Sequence, residues 1–216
     1  VIVLILLNIR KGNAKKEAAE KKPFFIKPDR YLFILGLITF CTMSCEVTVF
    51  DWAVNYFKKV VKADKQMVIV GYAAFIITMT LGRLTGNRIL AFLGHQKVLL
   101  ISGALMSVGF FITVFFPHLY TAAFGFLLIG LGDSIIIPTV YTLAGKSTKM
   151  KPNYAIASVT MIGYAGFLSA PLVVGAISQK WGMSSAFTLM VVLSFFISVL
   201  AIVLSKQKEM KDALST

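Results

Sequence analysis

Charged side chains are scarce in this sequence, and their scarcity excludes most soluble folds. Only 14% of the 216 residues are Asp, Glu, Lys or Arg, whereas 57% are hydrophobic. A soluble domain of this length needs a more polar surface. The net charge is +13, but the basic residues lie between long uncharged runs and not on one soluble face. The composition therefore predicts an all-α integral membrane protein with the lipid bilayer as its partner, and argues against nucleic acid.

Residues for metal or covalent chemistry are also few. Cys41 and Cys45 lie four apart in an apolar run, with no further Cys or His to complete a metal site, so we expect them to be packing residues. His95 and His118, the only histidines, fall near predicted loops. The sequence shows no cluster of a nucleophile, a base and metal ligands. We therefore expect no catalytic residues, no metal and no cofactor, and we expect that the protein is not an enzyme.

Long apolar runs predict six transmembrane helices. Five are expected over residues 31–57, 66–82, 98–116, 120–144 and 154–179. The sixth is expected to begin at Ser184 or Ser185, which can cap it, and to end near Leu204.

The basic residues predict the orientation of these spans. Six spans place both ends on one side, and the loops on that side carry 17 Lys and Arg, against 5 on the other. By the positive-inside rule, both ends of the six-span unit are expected in the cytoplasm, in the cell (inner) membrane.

The sequence begins without Met, and its first nine residues are apolar but too short to span a bilayer. We interpret residues 1–9 as the end of a truncated transmembrane helix that belongs to a missing N-terminal half of the same protein. Residues 10–30 are expected to be a basic cytoplasmic linker, 31–205 a six-helix transporter half, and 206–216 a cytoplasmic tail.

A glycine and arginine motif, GRLTGNR, follows the second predicted span. Glycines four apart allow two helices to approach closely. The segment resembles the loop signature of the major facilitator superfamily between the second and third helices of a six-helix unit. The resemblance implies a gating loop made of Gly82, Arg83, Gly86, Asn87 and Arg88, in which Asn87 stands where the family usually has Asp. Packing glycines in an ordinary basic loop are the structural alternative.

Four further segments resemble the second half of bacterial fucose-permease-like facilitators of this superfamily: CEVTVFDW, GYAAF, GLGDSIIIP and GYAGFLSAP. In such relatives a Gly usually stands at the position of Val47. The resemblance implies a twelve-helix protein of which this chain supplies the C-terminal half. It also implies that the six helices form two inverted three-helix repeats, in agreement with the span count.

Acids inside predicted spans are the strongest candidate functional residues, because a charge there costs about 2.5–3.5 kcal/mol on insertion scales. Asp133 is expected near mid-membrane and Glu46 in the outer half of its span. Asp51 falls at the outer interface, near lysines with which it could form an ion pair. We predict that Asp133 is the proton-coupling group of this half, with a helix–helix hydrogen bond as the alternative. The candidates for proton coupling and substrate binding are Asp133, Glu46, Asp51, Asn55, Tyr141 and Tyr164.

The favoured function is secondary active transport of a small solute, sugar-like in our interpretation, by alternating access and with proton coupling. A multidrug or metabolite efflux antiporter is the alternative, because a Met- and Phe-rich interior suits varied apolar ligands. A non-transporting membrane sensor or scaffold is the lesser alternative.

Overall fold

The computed structural model describes residues 29–207, and within that range the chain is helical apart from short connections. The helices are α1 (Arg30–Tyr56), α2 (Val70–Leu93), α3 (His95–Phe115), α4 (Leu119–Gly145), α5 (Pro152–Trp181) and α6 (Met183–Ser205). A π-helical turn, Phe57–Val61, extends α1. The predicted all-α membrane fold is confirmed. The interpretations of residues 1–9, and of most of the linker and tail, lie outside the described residues.

Short caps set the ends of the helices. The Asp29 side chain accepts a hydrogen bond of 3.0 Å from the backbone N–H of Leu32 at the start of α1. Gly94 alone connects α2 to α3, and Gly182 alone connects α5 to α6, with φ of 76° and 87°. Glycine adopts this left-handed backbone without steric cost. Gly182 therefore occupies the cap position of α6 that the sequence predicted for a serine.

The packing repeats after three helices. When α1, α2 and α3 are matched in order with α4, α5 and α6, the contact of α1 with α5 corresponds to that of α4 with α2. The contact of α1 with α6 likewise corresponds to that of α4 with α3. The remaining large contact, between α3 and α6, joins corresponding helices of the two halves. Each half has three helices joined by short connections. Each helix of the second half therefore runs in the opposite direction to the corresponding helix of the first half. These are the two inverted three-helix repeats that were predicted.

Five of the six described helices, α1 and α3 to α6, are long and apolar enough to cross a membrane. Helix α2 has 24 residues, enough to span at about 1.5 Å per residue, but Arg83, Asn87 and Arg88 make it less apolar. It nevertheless packs closely against α4.

The bounds predicted for α2 were wrong. The second span was expected at residues 66–82 and the GRLTGNR motif in a loop, but the helix starts at Val70 and continues through the motif to Leu93. The physical reason is that Gly82 and Gly86 are buried against α4, so the motif is part of the helix packing. Arg83 lies about 15 Å from the Leu93 end of α2 and so counts on neither side, which leaves 16 Lys and Arg against 5 and does not change the sense of the asymmetry.

Candidate functional site

An ion pair joins α1 to α2 part-way along both helices. Arg83 Nη2 donates a hydrogen bond of 3.1 Å to Glu46 Oε1. The Glu46 side chain is 15% exposed and that of Arg83 is 48% exposed. Glu46 is therefore largely enclosed, while about half of the arginine remains open on the surface of the six-helix unit.

A second carboxyl group, that of Asp133 on α4, lies beside this pair. The residue is buried, with 1% of its surface exposed. Neither carboxyl oxygen has a hydrogen-bond partner among residues 29–207. Glu46, Arg83 and the buried thiol of Cys45 are near enough for electrostatic interaction with Asp133. Two acids and one base thus share one region, and the most buried acid lacks a hydrogen bond.

All three charged groups lie far from the helix ends. Glu46 is about 24 Å from the Arg30 end of α1, and Asp133 is about 21 Å from the Leu119 end of α4, at about 1.5 Å per residue. Arg83 is about 15 Å from the Leu93 end of α2. The expectation of Arg83 in a loop at the helix end was therefore wrong.

Glycines hold α2 and α4 close together around the cluster. A Cβ added at Gly82 would lie 2.7 Å from Ser134 Cβ, and one added at Gly130 would lie 3.2 Å from the backbone nitrogen of Met79. Such close approach requires glycine at both positions. Because Gly82 precedes Arg83 and Ser134 follows Asp133, this crossing places the arginine and the buried acid at similar depth.

Pro138 lies within α4, five residues after Asp133. Proline has no backbone N–H, so the carbonyl of Ser134 loses its helical hydrogen bond beside the acid. The helix nevertheless continues to Gly145. The backbone next to Asp133 is therefore less constrained than that of an uninterrupted helix.

Aromatic rings lie farther along the same two helices that the ion pair joins. The Phe50 ring, on α1, meets Tyr72 and Phe75 of α2 edge to face, with centroid distances of 6.2 and 5.7 Å. Phe75 is fully buried, whereas Phe50 and Tyr72 are half-buried. Nothing in the sequence distinguished these aromatic residues as candidates, because rings between apolar helices are usually packing residues.

The other candidates predicted from sequence are spread over three helices. Asp51 is exposed and Asn55 half-buried near the Tyr56 end of α1, while Tyr141 on α4 is half-buried. Tyr164 on α5 is 52% exposed and meets Phe167 edge to face. Within the described chain none of the four predicted candidates forms a hydrogen bond or ion pair with its side chain, so the ion pair suggested for Asp51 is absent there. Their roles remain predictions.

The five residues of the predicted gating loop separate into three groups. Gly82 and Gly86 are buried where α2 crosses α4, and Arg83 pairs with Glu46. Asn87 and Arg88 are exposed farther along α2. The motif is therefore a helical segment, and the contact between Arg83 and Glu46 is the feature that sequence reasoning missed. One signal was available, because an acid within an apolar segment, such as Glu46, commonly pairs with a base.

An inverted repeat of apolar helices long enough to cross a membrane, with charged groups part-way along them, is the architecture typical of secondary transporters. The sequence profile of the Major Facilitator Superfamily matches residues 32–215. The chain belongs to the Major Facilitator Superfamily.

Curated relatives agree with this family. An uncharacterised MFS-type transporter of Yersinia pestis is 35% identical over 87% of this chain and 49% of its own length. A glucose/galactose transporter of Brucella abortus is 25% identical over 82% of this chain and 43% of its own length. The chain thus spans about half the length of the curated relatives that it matches.

Solved structures share the fold. The peptide transporter POT in complex with sulfate has a TM-score of 0.75, with 20% identity, over 88% of this chain and 40% of its own. FucP, a Major Facilitator Superfamily transporter in an outward conformation, has a TM-score of 0.72, with 18% identity, over 82% of this chain and 43% of its own.

Proposed function

We propose that this chain is part of a proton-coupled secondary transporter that moves a small, sugar-like solute by alternating access. The observation that carries the proposal is the enclosed carboxyl of Asp133 beside the Glu46–Arg83 pair, halfway along the helices. The name of the Brucella relative favours a sugar as solute. Because the chain covers about half of its relatives, we propose that a second six-helix unit completes the transport site.

The buried position of Asp133 suits proton coupling. An isolated charged carboxylate in an apolar interior is strongly disfavoured, so the enclosed group is expected to hold its proton. Glu46 can carry its charge in the same state because Arg83 donates to it. When a conformational change admits water beside Pro138, Asp133 can release its proton, and the nearby Arg83 stabilises the resulting negative charge.

Two charged groups on neighbouring helices act on Asp133: Glu46 of α1 and Arg83 of α2. Exchange of a proton at Asp133 therefore changes the charge of the cluster by one. That change can alter the pairing of Arg83, and so link protonation to the packing of α1, α2 and α4.

The test compares accumulation with exchange in the intact carrier, reconstituted in liposomes with D-glucose or D-galactose. Asp133→Asn keeps the shape of the side chain but cannot exchange a proton. We expect it to lose accumulation driven by a pH gradient and to keep exchange of labelled for unlabelled sugar. Unchanged pH-driven accumulation would exclude Asp133 as the coupling group.

Asp64→Asn is the matched control. Asp64 is exposed in the connection between α1 and α2, so the same chemical change there removes an acid far from the cluster. We expect this variant to accumulate sugar as the parent does. If neither sugar enters the liposomes with the parent carrier, the sugar-like substrate is wrong.

A further inference from the structure

We propose that Phe50 and Tyr72 form a stacking surface for the ring of a neutral sugar whose hydroxyl groups bind Glu46 and Arg83. This inference rests on the proposed function and specifies which side chains of this chain contact the solute.

The two aromatic rings and the ion pair share one face of the helices. Phe50 follows Glu46 by four residues, so the two side chains project from the same side of α1, about 6 Å apart along the axis. The Phe50 ring contacts Tyr72 on α2, the helix that also carries Arg83. Phe50 therefore lies about one helical turn from Glu46, whereas Tyr72 lies three turns, about 16 Å along α2, from Arg83, so Phe50 is the ring nearer to the ion pair.

The rings are positioned but not covered. Phe75 is fully buried and meets the Phe50 ring at an interplanar angle of 86°, so it supports Phe50 from the protein side. Phe50 and Tyr72 remain half-buried and keep part of their ring surface open. In the described part of the chain the Tyr72 hydroxyl has no hydrogen-bond partner, so it is available to a ligand. A rigid ring with an open face and a polar tip is suited to bind an amphipathic ligand.

The ion pair can both donate and accept further hydrogen bonds. A guanidinium has five N–H donors, and a carboxylate has two oxygens that each accept more than one bond. The described contact uses one Arg83 nitrogen and one Glu46 oxygen. Sugar hydroxyls both donate and accept, so they match a site that offers donors and acceptors side by side.

The charge balance favours a neutral ligand. While Asp133 holds its proton, Glu46 and Arg83 together carry no net charge. An anion would compete with Glu46 for Arg83, and a cation would compete with Arg83 for Glu46. A wholly apolar ligand would remove water from the pair without replacing its hydrogen bonds, which costs free energy. A neutral ring with an apolar face and a hydroxylated edge meets both parts of the site.

The experiment measures equilibrium exchange of labelled D-glucose and D-galactose by the intact carrier, because exchange does not depend on proton coupling. Phe50→Leu removes the ring and keeps an apolar side chain. We expect it to raise the half-saturating sugar concentration about two- to tenfold, the range expected for loss of one aromatic stacking contact, with little change in the maximal rate. Phe50→Trp keeps a ring and should stay within about twofold of the parent.

Phe111→Leu is the matched control, since Phe111 lies on α3, is 46% exposed and stacks with Phe115 away from the ion pair. We expect it to leave the half-saturating concentration unchanged. If Phe50→Leu does not fold, Tyr72→Leu tests the same surface from α2 and is expected to raise the same constant.

Two results would overturn the proposal, and they are distinguishable. In the first, the parent exchanges sugar, and Phe50→Leu or Tyr72→Leu has the same half-saturating concentration as the parent. This result would exclude the stacking surface and leave the proposed transport function intact. Failure of the parent to exchange either sugar would overturn the sugar-like substrate, and the stacking surface with it.

Discussion

The glycine at position 82 offers a sharp test of how α2 and α4 fit together. In Gly82→Ala the new Cβ would lie 2.7 Å from Ser134 Cβ, whereas an ordinary carbon–carbon contact is about 3.5–4.0 Å. Ser134 Cβ is fixed to the α4 backbone, so it cannot rotate away and the helices must separate. Overpacking of this kind costs about 1–3 kcal/mol.

Gly86→Ala is the matched control, one turn farther along the same helix. Its new Cβ would lie 3.5 Å from Ile135 Cγ1, an ordinary contact. Both substitutions gain about 0.8–1.0 kcal/mol of helix propensity, so the difference between them isolates the packing cost. We expect Gly82→Ala to be less stable than Gly86→Ala by about 1–3 kcal/mol.

The assay is thermal unfolding of the purified chain in detergent, with each alanine variant made alone and together with Ser134→Gly. Removal of the Ser134 side chain should relieve the effect of Gly82→Ala and leave that of Gly86→Ala unchanged. Equal unfolding midpoints for the two alanine variants, or a cost at Gly82 that Ser134→Gly does not relieve, would refute the close crossing.

Three more predictions concern the ion pair, a buried hydroxyl and the orientation of the helices. Glu46→Gln and Arg83→Gln should each lower the rate of sugar exchange by the intact carrier. The double variant Glu46→Arg, Arg83→Glu, in which the two charges are swapped, should recover part of that rate. Equal losses in the single and double variants would contradict the pairing. Tyr56→Phe should lower the free energy of unfolding by about 0.5–1.5 kcal/mol in chemical denaturation, because the buried hydroxyl donates a 2.8 Å hydrogen bond to a carbonyl of α3. In intact cells, Lys65→Cys should react with an impermeant thiol reagent and Ser205→Cys should not. The native cysteines are buried, and the reverse labelling would overturn the predicted orientation.

The contrast between α2 and the other helices shows what a hydropathy pattern can predict. Five helices begin and end within about three residues of the predicted spans, because an apolar run in a bilayer must satisfy its backbone hydrogen bonds within the segment and so becomes a helix. In α2 the first charged residue, Arg83, was interpreted as the end of the span. The helix passes through it, because Gly82 and Gly86 pack against α4 and Glu46 on another helix supplies the opposite charge.

The candidate site could be predicted only in part. Asp133 and Glu46 stood out because acids are costly in apolar segments, and both lie in one cluster. Nothing in the local sequence connects either acid to Arg83, which is 37 residues from Glu46 and 50 from Asp133. The open faces of Phe50 and Tyr72 depend on which neighbours cover them, and periodicity along one helix does not contain that information.

By itself, the sequence determined the membrane class, the number of helices and the family. These properties follow from long apolar runs and local motifs, whose consequences act within one segment. The tertiary structure alone decided that Arg83 pairs with Glu46, that Gly82 rather than Gly86 sets the closest approach of α2 to α4, and that Asp133 is enclosed without a hydrogen bond. Each of these depends on the distance between atoms of different helices, which is set by how the packed surfaces of the two repeats fit together.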